Sequence, residues 1–118
     1  MSIYHIALEA DWNAAQSSGE YRMSTRGTRL EEVGFIHTSF AHQVERTGTF
    51  LYGDGSARLV VLEIDPTLLR SPVKVENLDG GDEQFPHIYG PLPTSAVVDV
   101  LPVVVQDGQF IVSGLRQP

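Results

Sequence analysis

The stretch Gly34-Phe35-Ile36-His37-Thr38-Ser39 sets a histidine inside a run of β-branched and aromatic residues, which is the composition of a buried strand. Two further stretches repeat this arrangement, Ile3-Tyr4-His5-Ile6 and Phe85-Pro86-His87-Ile88-Tyr89-Gly90-Pro91-Leu92. A titratable ring costs free energy in an apolar setting unless it has polar partners. A single such histidine is most often a core residue bonded to a backbone carbonyl. Three of them on separate segments favour a shared pocket.

The composition limits the kind of protein that this can be. We expect one domain over residues 1–118, and a hydrophobic fraction of 42% is typical of a globular protein. The sequence has no cysteine, which excludes disulfides, thiolate metal sites and cysteine nucleophiles. It has no signal-peptide pattern and no apolar run near the ~20 residues that span a bilayer. We therefore expect a cytoplasmic protein that does not enter a membrane.

The charges disfavour some partners and indicate another. Fifteen acidic and eight basic residues give a formal charge of −7, which disfavours nonspecific binding to nucleic acids or anionic membranes. Arginine makes forked contacts with phosphate and carboxylate, and Arg22, Arg26 and Arg29 lie close together. This segment is either a solvated charged loop or a cradle for an anion. The expected partner is a small anionic molecule, and the oligomeric state stays open.

The hydrophobic pattern predicts an α+β fold in which helices come early and strands dominate later. Period-two alternation and a turn-forming Asp107-Gly108 pair predict a strand or hairpin at several places. The expected strands are Ile3–Leu8, Phe35–Thr38, Arg58–Asp65, Val73–Glu76, Ala96–Val105 and Gln109–Ser113. Pro102 predicts that one of the last two is an edge or bent strand.

Capping residues and glycines predict three short helices. The first begins after Asp11 and ends at Gly19, the second is one turn over Leu30–Val33 closed by Gly34, and the third follows Ser39 as its N-cap. Three other segments are expected to lack regular structure. They are an irregular basic segment over Tyr21–Gly27, an exposed loop over Leu78–Gln84, and a rigid turn over Phe85–Leu92 pinned by prolines.

Several kinds of site find no support in the sequence. It contains no His-Glu-x-x-His, no histidine pair at i, i+4 spacing, no Gly-x-Ser-x-Gly elbow and no glycine-rich phosphate loop. A metal ion held by His5, His37 and His87 is geometrically conceivable, but their spacing does not indicate one. No metal site is predicted.

The histidine segments, together with Leu62-Glu63-Ile64-Asp65, resemble an uncharacterised bacterial family, domain-of-unknown-function family 952. The resemblance extends from Ile3 to about Pro102. That family is grouped by fold with the ADP-ribosyltransferases and the RNA 2′-phosphotransferases. The resemblance therefore implies a split, bent, mostly antiparallel sheet with two or three short helices, which in those enzymes grips a dinucleotide or ADP-ribose.

The resemblance also implies roles for individual residues. Tyr4-His5 is similar to the Tyr-His step of the first ADP-ribosyltransferase motif, whose histidine holds the nicotinamide ribose. His37 and Ser39 match the second histidine and the serine of the His-Val-His-Leu-Ser segment in the phosphotransferases. The implied catalytic residues are thus His5 and His37. Of the arginines that bind phosphate in the phosphotransferases, Arg22 or Arg46 is a loose counterpart. The expected substrate-binding residues are Ser39, Arg22, His87, Tyr89 and Phe35. The catalytic carboxylate of the transferases has no match by motif, which leaves Glu63 and Glu76 as alternatives.

Three functional hypotheses remain open on the sequence. The first is an ADP-ribosyl- or phospho-transferase-like enzyme acting on NAD or a phosphorylated nucleotide, with NAD as substrate and no cofactor established. The second is a module that binds a nucleotide or ADP-ribose without turnover. The third is a structural protein in which the histidines complete the core.

Overall fold

Two antiparallel sheets that meet at the first strand make up most of the molecule. The computed structural model describes residues 1–78 and 80–115. Within them the predicted α+β arrangement is confirmed, and all strand pairings are antiparallel. The helices are α1 (Glu9–Ser18), α2 (Leu30–Val33) and α3 (Ala41–Tyr52). The strands are β1 (Ile3–Leu8), β2 (Glu20–Tyr21), β3 (Met23–Thr25), β4 (Thr28–Arg29), β5 (Ile36–His37), β6 (Leu59–Ile64), β7 (Val73–Glu76), β8 (Phe85–Ile88), β9 (Leu92–Pro93), β10 (Val97–Gln106) and β11 (Gln109–Val112).

The larger sheet has the order β1-β6-β10-β11 and buries apolar side chains on both faces. The alternation predicted for residues 58–65 is confirmed in β6. Leu62 and Ile64 lie on one face, and Leu59 and Val61 lie on the other. Because successive side chains of a strand point to opposite faces, a strand covered on both sides needs apolar residues at nearly every position. β6 and β1 both meet this requirement.

The predicted hairpin at the end of the sheet is confirmed. Asp107 and Gly108 connect β10 to β11 with φ angles of 53° and 76°, as a two-residue turn of this kind requires. Pro102 lies where β10 changes partner, since β10 pairs with β6 up to Pro102 and with β11 from Val103 onwards. A residue without an N–H is tolerated there because the backbone pairing with β6 ends at this residue and the pairing with β11 begins at the next one.

The smaller sheet has the order β5-β8-β7. Its central strand β8 corrects the prediction of a rigid turn over Phe85–Leu92. Pro86 cannot donate a hydrogen bond, but its carbonyl accepts from the Thr38 amide at 3.2 Å and from the Thr38 hydroxyl at 2.6 Å. These two bonds hold the strand in the sheet despite the missing donor.

A single backbone bridge joins the two sheets. The amide and carbonyl of Tyr4 in β1 pair with those of Ser39 just after β5, and both N···O distances are 2.8 Å. Ser39 was predicted as the N-cap of a helix, and that prediction is wrong. α3 begins one residue later, with Phe40 at its N-cap, because the Ser39 backbone is committed to β1.

The other helices follow their predicted signals in part. α2 and its closing Gly34, which has a φ of 95°, are confirmed. α1 ends at Gly19 as predicted but begins at Glu9, so Asp11 lies in the first turn rather than at the cap. An acidic residue is favourable in the first turn as well as at the cap, so the local signal does not distinguish the two positions. Across residues 1–78 and 80–115, no helix has the length and apolar character needed to cross a membrane.

The segment Tyr21–Gly27, predicted to be irregular, contains strand structure. β2 pairs with the distant β9, and β3 pairs with β4. Strands of two or three residues carry too little alternation to be predicted from sequence, and they form because a partner strand lies beside them.

We predict that Gly48→Ala lowers the stability of the protein. Gly48 lies where α3 packs on β11, and an added Cβ would come within 2.2 Å of a ring carbon of Phe110. Overpacking of this kind costs about 1–3 kcal/mol, which offsets the gain of up to about 1 kcal/mol from replacing a helical glycine. Thermal unfolding of the single variants and of Gly48→Ala combined with Phe110→Leu provides the test. Equal effects of Gly48→Ala in both backgrounds would contradict the close contact.

Candidate functional site

One face of the smaller sheet carries most of the predicted site residues. In an antiparallel pair, residues directly opposite each other share a face. His37 is opposite His87, and His87 is opposite Lys74, so the three side chains form a row across β5, β8 and β7. Phe35 packs on this row, with its ring centroid 4.9 Å from that of His37 and 4.8 Å from that of His87.

A cavity of about 630 Å³ lies beside this row. Its walls come from β1, β3, the β5 region, α3 and β8, and its mouth carries the exposed side chains of Phe50 and Leu51. The predicted site residues that line it are His5, Phe35, His37, Ser39 and His87. The prediction that the three histidines share one cleft is therefore confirmed.

His5 lies in the wall of the cavity with both ring nitrogens bonded to the protein. Nδ1 is 2.6 Å from the carbonyl oxygen of His37, and Nε2 is 2.8 Å from the hydroxyl of Tyr21. Because a carbonyl only accepts, Nδ1 donates to it, and Nε2 accepts from the Tyr21 hydroxyl. Burial lowers the pKa of His5 from 6.5 to about 4, so the ring is neutral at pH 7. Neither nitrogen is left for a ligand, which makes His5 a positioning residue in this arrangement.

His37 and His87 differ from His5 because their two rings contact each other in the wall of the cavity. Their centroids are 5.7 Å apart. His37 is exposed at the mouth, whereas His87 is only 4% exposed. Desolvation, with a smaller effect of His87, lowers the pKa of His37. Imidazole rings can both donate and accept hydrogen bonds.

Tyr89 lies behind the cavity rather than in its lining. Its ring centroid is 5.4 Å from that of Phe35, and its hydroxyl donates a hydrogen bond to the carboxylate of Glu76. That bond raises the pKa of the Tyr89 phenol. The other candidate carboxylate, Glu63, accepts from the Ser2 hydroxyl at 2.8 Å and does not line the cavity.

Of the two arginines that are loose counterparts of phosphate-binding ones, Arg46 lines the cavity, whereas Arg22, expected as a substrate-binding residue, does not. Arg22 forms ion pairs with Glu20 at 3.2 Å and with Glu31 at 2.9 Å. Arg46 of α3 pairs with Glu83. The concentration of arginines in one segment thus did not identify the arginine at the cavity, since Arg22 is paired with two glutamates instead.

Ser24 is a site residue that the sequence did not indicate. It is fully buried and lines the cavity, and its hydroxyl makes no hydrogen bond to the described residues. Buried hydroxyls in native proteins almost always have a partner. The residue lies in the segment read as irregular, so no pattern marked it.

Metal-binding groups do not cluster in this site. Within the part of the chain that the structure describes, no set of three or more His, Cys, Asp or Glu side chains is arranged to hold a metal ion. The donors around the cavity are imidazoles, hydroxyls and one guanidinium, which suit an organic ligand with oxygen atoms.

Comparison with protein families agrees with this fold. The family model described as "Protein of unknown function (DUF952)" matches residues 6–100. The chain belongs to the DUF952 family. This match includes His37, His87 and the strands that carry them, whereas His5 lies just before its first residue. No curated protein matches the chain.

Solved structures of protein CC0527 from Caulobacter crescentus have a similar fold. Its crystal structure aligns with a TM-score of 0.76 at 30% identity over 94% of each chain. A crystal structure of its double mutant gives a TM-score of 0.76 at 29% identity. Its solution structure gives 0.71 at 33% identity over 92% of this chain and 90% of that one.

We predict that His5 makes the stability of the protein depend on pH between about 7 and 4. The unfolded chain takes up a proton near pH 6.5, whereas folded His5 takes it up only near pH 4. The stability from neutral His5 is therefore complete above pH 6.5 and is lost as the pH falls towards 4. The difference between the pKa values of unfolded and folded His5 corresponds to about 3 kcal/mol in the free energy of unfolding. Chemical denaturation across this range should show a shallower slope for His5→Gln than for the wild type.

Two controls accompany this measurement. His42→Gln removes an exposed histidine and should keep the wild-type slope. Tyr21→Phe leaves Nε2 of His5 without its donor and should cost about 1–3 kcal/mol at neutral pH. A wild-type slope in His5→Gln would contradict a buried, neutral His5.

Proposed function

We propose that the cavity binds a small nucleotide derivative, with NAD and phosphorylated nucleotides as the first candidates. One observation carries this proposal: His37, His87 and Ser24 line a single cavity together with aromatic side chains. A nucleotide combines a planar base, ribose hydroxyls and a phosphate. Each of these parts has a suitable counterpart among the lining residues.

The base is matched by the aromatic side chains. Phe35 lies in the wall, and the exposed side chains of Phe50 and Leu51 line the same cavity as neighbouring apolar residues. Stacking of a base on an aromatic ring contributes about 1–3 kcal/mol. The two rings lie at different depths of one cavity, so we propose Phe50 as a lid over a base that enters beside Phe35.

The phosphate is matched by Arg46. Its ion pair with Glu83 is solvent-exposed, and such pairs contribute little to stability. A phosphate can therefore displace the carboxylate at small cost. Among the described lining residues Arg46 has the one guanidinium, so we propose that a single phosphate, rather than an extended polyphosphate, is held there.

Binding without turnover is the hypothesis that these contacts support best. The implied catalytic pair was His5 and His37, but both nitrogens of His5 are engaged by the protein. No carboxylate is among the described residues that line the cavity. Stabilisation of an oxocarbenium-like transition state needs a negative group near the reacting carbon. The fold likeness to ADP-ribosyltransferases, implied by the family resemblance, supports a nucleotide ligand more than it supports that reaction.

A transferase-like activity remains the second candidate because of Glu76. Its carboxylate lies 3.4 Å from Nδ1 of His87, which lines the cavity. Incubation of the protein with NAD and detection of released nicotinamide distinguishes the two candidates. Product at a rate that falls in His87→Ala would favour the enzyme.

We predict that His37→Ala abolishes ligand-induced stabilisation while the protein stays folded. The screen consists of thermal shifts with NAD, ADP-ribose, AMP and 2′-phosphorylated nucleotides. A ligand at about 100 times its Kd adds about 2.7 kcal/mol to stability, which raises Tm by several degrees. His42→Ala is the matched control, because His42 is exposed on α3 and does not line the cavity. Absence of any shift with the wild type at millimolar nucleotide would refute the proposal.

We also predict that the two arginines behave differently in the same screen. Arg46→Ala should lose most of the shift given by a phosphorylated ligand, because it removes the guanidinium at the cavity. Arg22→Ala should retain the shift, since Arg22 does not line the cavity. The opposite result would restore the sequence-based assignment of Arg22.

A further inference from the structure

Glu83 places a negative charge next to the arginine of the cavity, although it does not itself line the cavity. Its carboxylate accepts a hydrogen bond from the Arg46 guanidinium and another from Nε2 of Gln43 at 3.0 Å. Gln43 and Arg46 are three residues apart on α3 and therefore lie on the same side of the helix. One helix thus holds both the carboxylate and the group that is proposed to bind phosphate.

Gln43 determines where this negative charge stays. Its side chain is 1% exposed, and its Oε1 accepts a hydrogen bond from the Phe40 amide at 2.9 Å at the start of α3. Because that contact requires the amide oxygen, the NH2 group points the other way and donates to Glu83 and to the carbonyl of Gln84, the latter at 2.8 Å. Asn77 also donates to the carbonyl of Glu83 at 2.9 Å. Glu83 is thus fixed through both its side chain and its backbone.

Arg46 is less restrained than the carboxylate that it contacts. Its side chain is 62% exposed, and a guanidinium has five N–H donors, so it can contact two acceptors at once. A phosphate can share the guanidinium with Glu83 or replace it there. In both cases the carboxylate remains close to the phosphate, because Gln43 continues to hold it.

The positive charge of Arg46 is offset before any ligand binds. Among the described residues that line the cavity, Arg46 has the one permanent positive charge, and Glu83 pairs with it. Hydrogen bonds from Gln43 and Arg46 lower the pKa of Glu83, so the carboxylate is ionised at neutral pH. A phosphate with two negative charges therefore meets twice the repulsion from Glu83 that a phosphate with one negative charge meets.

We infer that Glu83 is a specificity-determining residue that favours a phosphate with one negative charge over a terminal phosphate with two. This inference rests on the proposed nucleotide function and names the class of ligand, a phosphodiester rather than a phosphomonoester. A phosphomonoester carries close to two charges above pH 7 because its second pKa is about 6. A diester has no second proton to lose. Glu83 acts through its charge beside Arg46 and does not need to touch the ligand.

The test compares AMP with its 5′-methyl phosphate ester, which has the same base and ribose but one negative charge. The measured quantity is the ratio of the Kd of AMP to the Kd of the ester at about pH 8, where AMP carries two charges. A unit charge a few Å away in water changes affinity by roughly two- to fivefold. We expect the ratio to fall by this factor in Glu83→Gln. Glutamine still offers an oxygen to Gln43 and Arg46 but has no charge, and comparing the ratio between proteins cancels the effect of the methyl group.

Glu31→Gln is the matched control. It removes one negative charge and alters an arginine ion pair, that with Arg22, which lies outside the cavity lining. This variant should keep the wild-type ratio. An equal fall of the ratio in Glu31→Gln and Glu83→Gln would show that net charge rather than Glu83 sets the preference, which overturns the inference.

The proposed function and this inference fail in different ways. If no nucleotide binds the wild type or Glu83→Gln, the proposed function is refuted and the inference falls with it. If AMP and the ester bind but the ratio is the same in the wild type and Glu83→Gln, the function stands and the role given to Glu83 is refuted.

Discussion

The buried imidazole of His5 connects the two sheets at the point where they separate. β1 and the β5 region pair through one backbone bridge, Tyr4 to Ser39, and beyond it the two chains diverge. There a side-chain contact replaces the backbone pairing, because His5 donates a hydrogen bond to the carbonyl of His37 and accepts one from the Tyr21 hydroxyl. A carbonyl at a buried edge costs free energy if it is left unpaired. His5 removes that cost and remains neutral because burial lowers its pKa to about 4.

The cavity is a consequence of this separation. Had β1 and β5 continued to pair, their side chains would have packed into one closed core. Instead the row of His37 and His87 faces α3 across a cavity of about 630 Å³, and the bridge at Ser39 closes one end. A similar fold in CC0527 at 30% identity indicates that the split arrangement does not depend on most individual side chains.

The electrostatics of the site differ from those of the whole chain. The net charge is −7, yet the cavity presents imidazoles and hydroxyls, with Arg46 as its guanidinium. Local charge dominates because exposed charges are screened over about 8 Å at physiological salt. In the arginine-rich segment that contains Arg22, neighbouring carboxylates offset the positive charge, since Arg22 forms ion pairs with Glu20 and Glu31. Counting charges along the chain therefore pointed to an arginine that does not line the cavity.

The elements whose causes are local follow from the sequence alone. β1 follows from a short run that is apolar on both faces, β6 and the final hairpin follow from alternation and from a turn pair that accepts positive φ, and α2 ends at Gly34 because that position has a positive φ. The sequence also indicated that the three apolar-context histidines share a pocket, because a buried polar ring needs partners. Tertiary structure decided the features that depend on segments far apart in the chain: Ser39 as a bridge rather than a cap, β8 as a strand, Arg46 rather than Arg22 at the cavity, and Glu76 beside His87. No local pattern encodes these contacts, because each one depends on the register between two strands or on how a helix lies against a sheet.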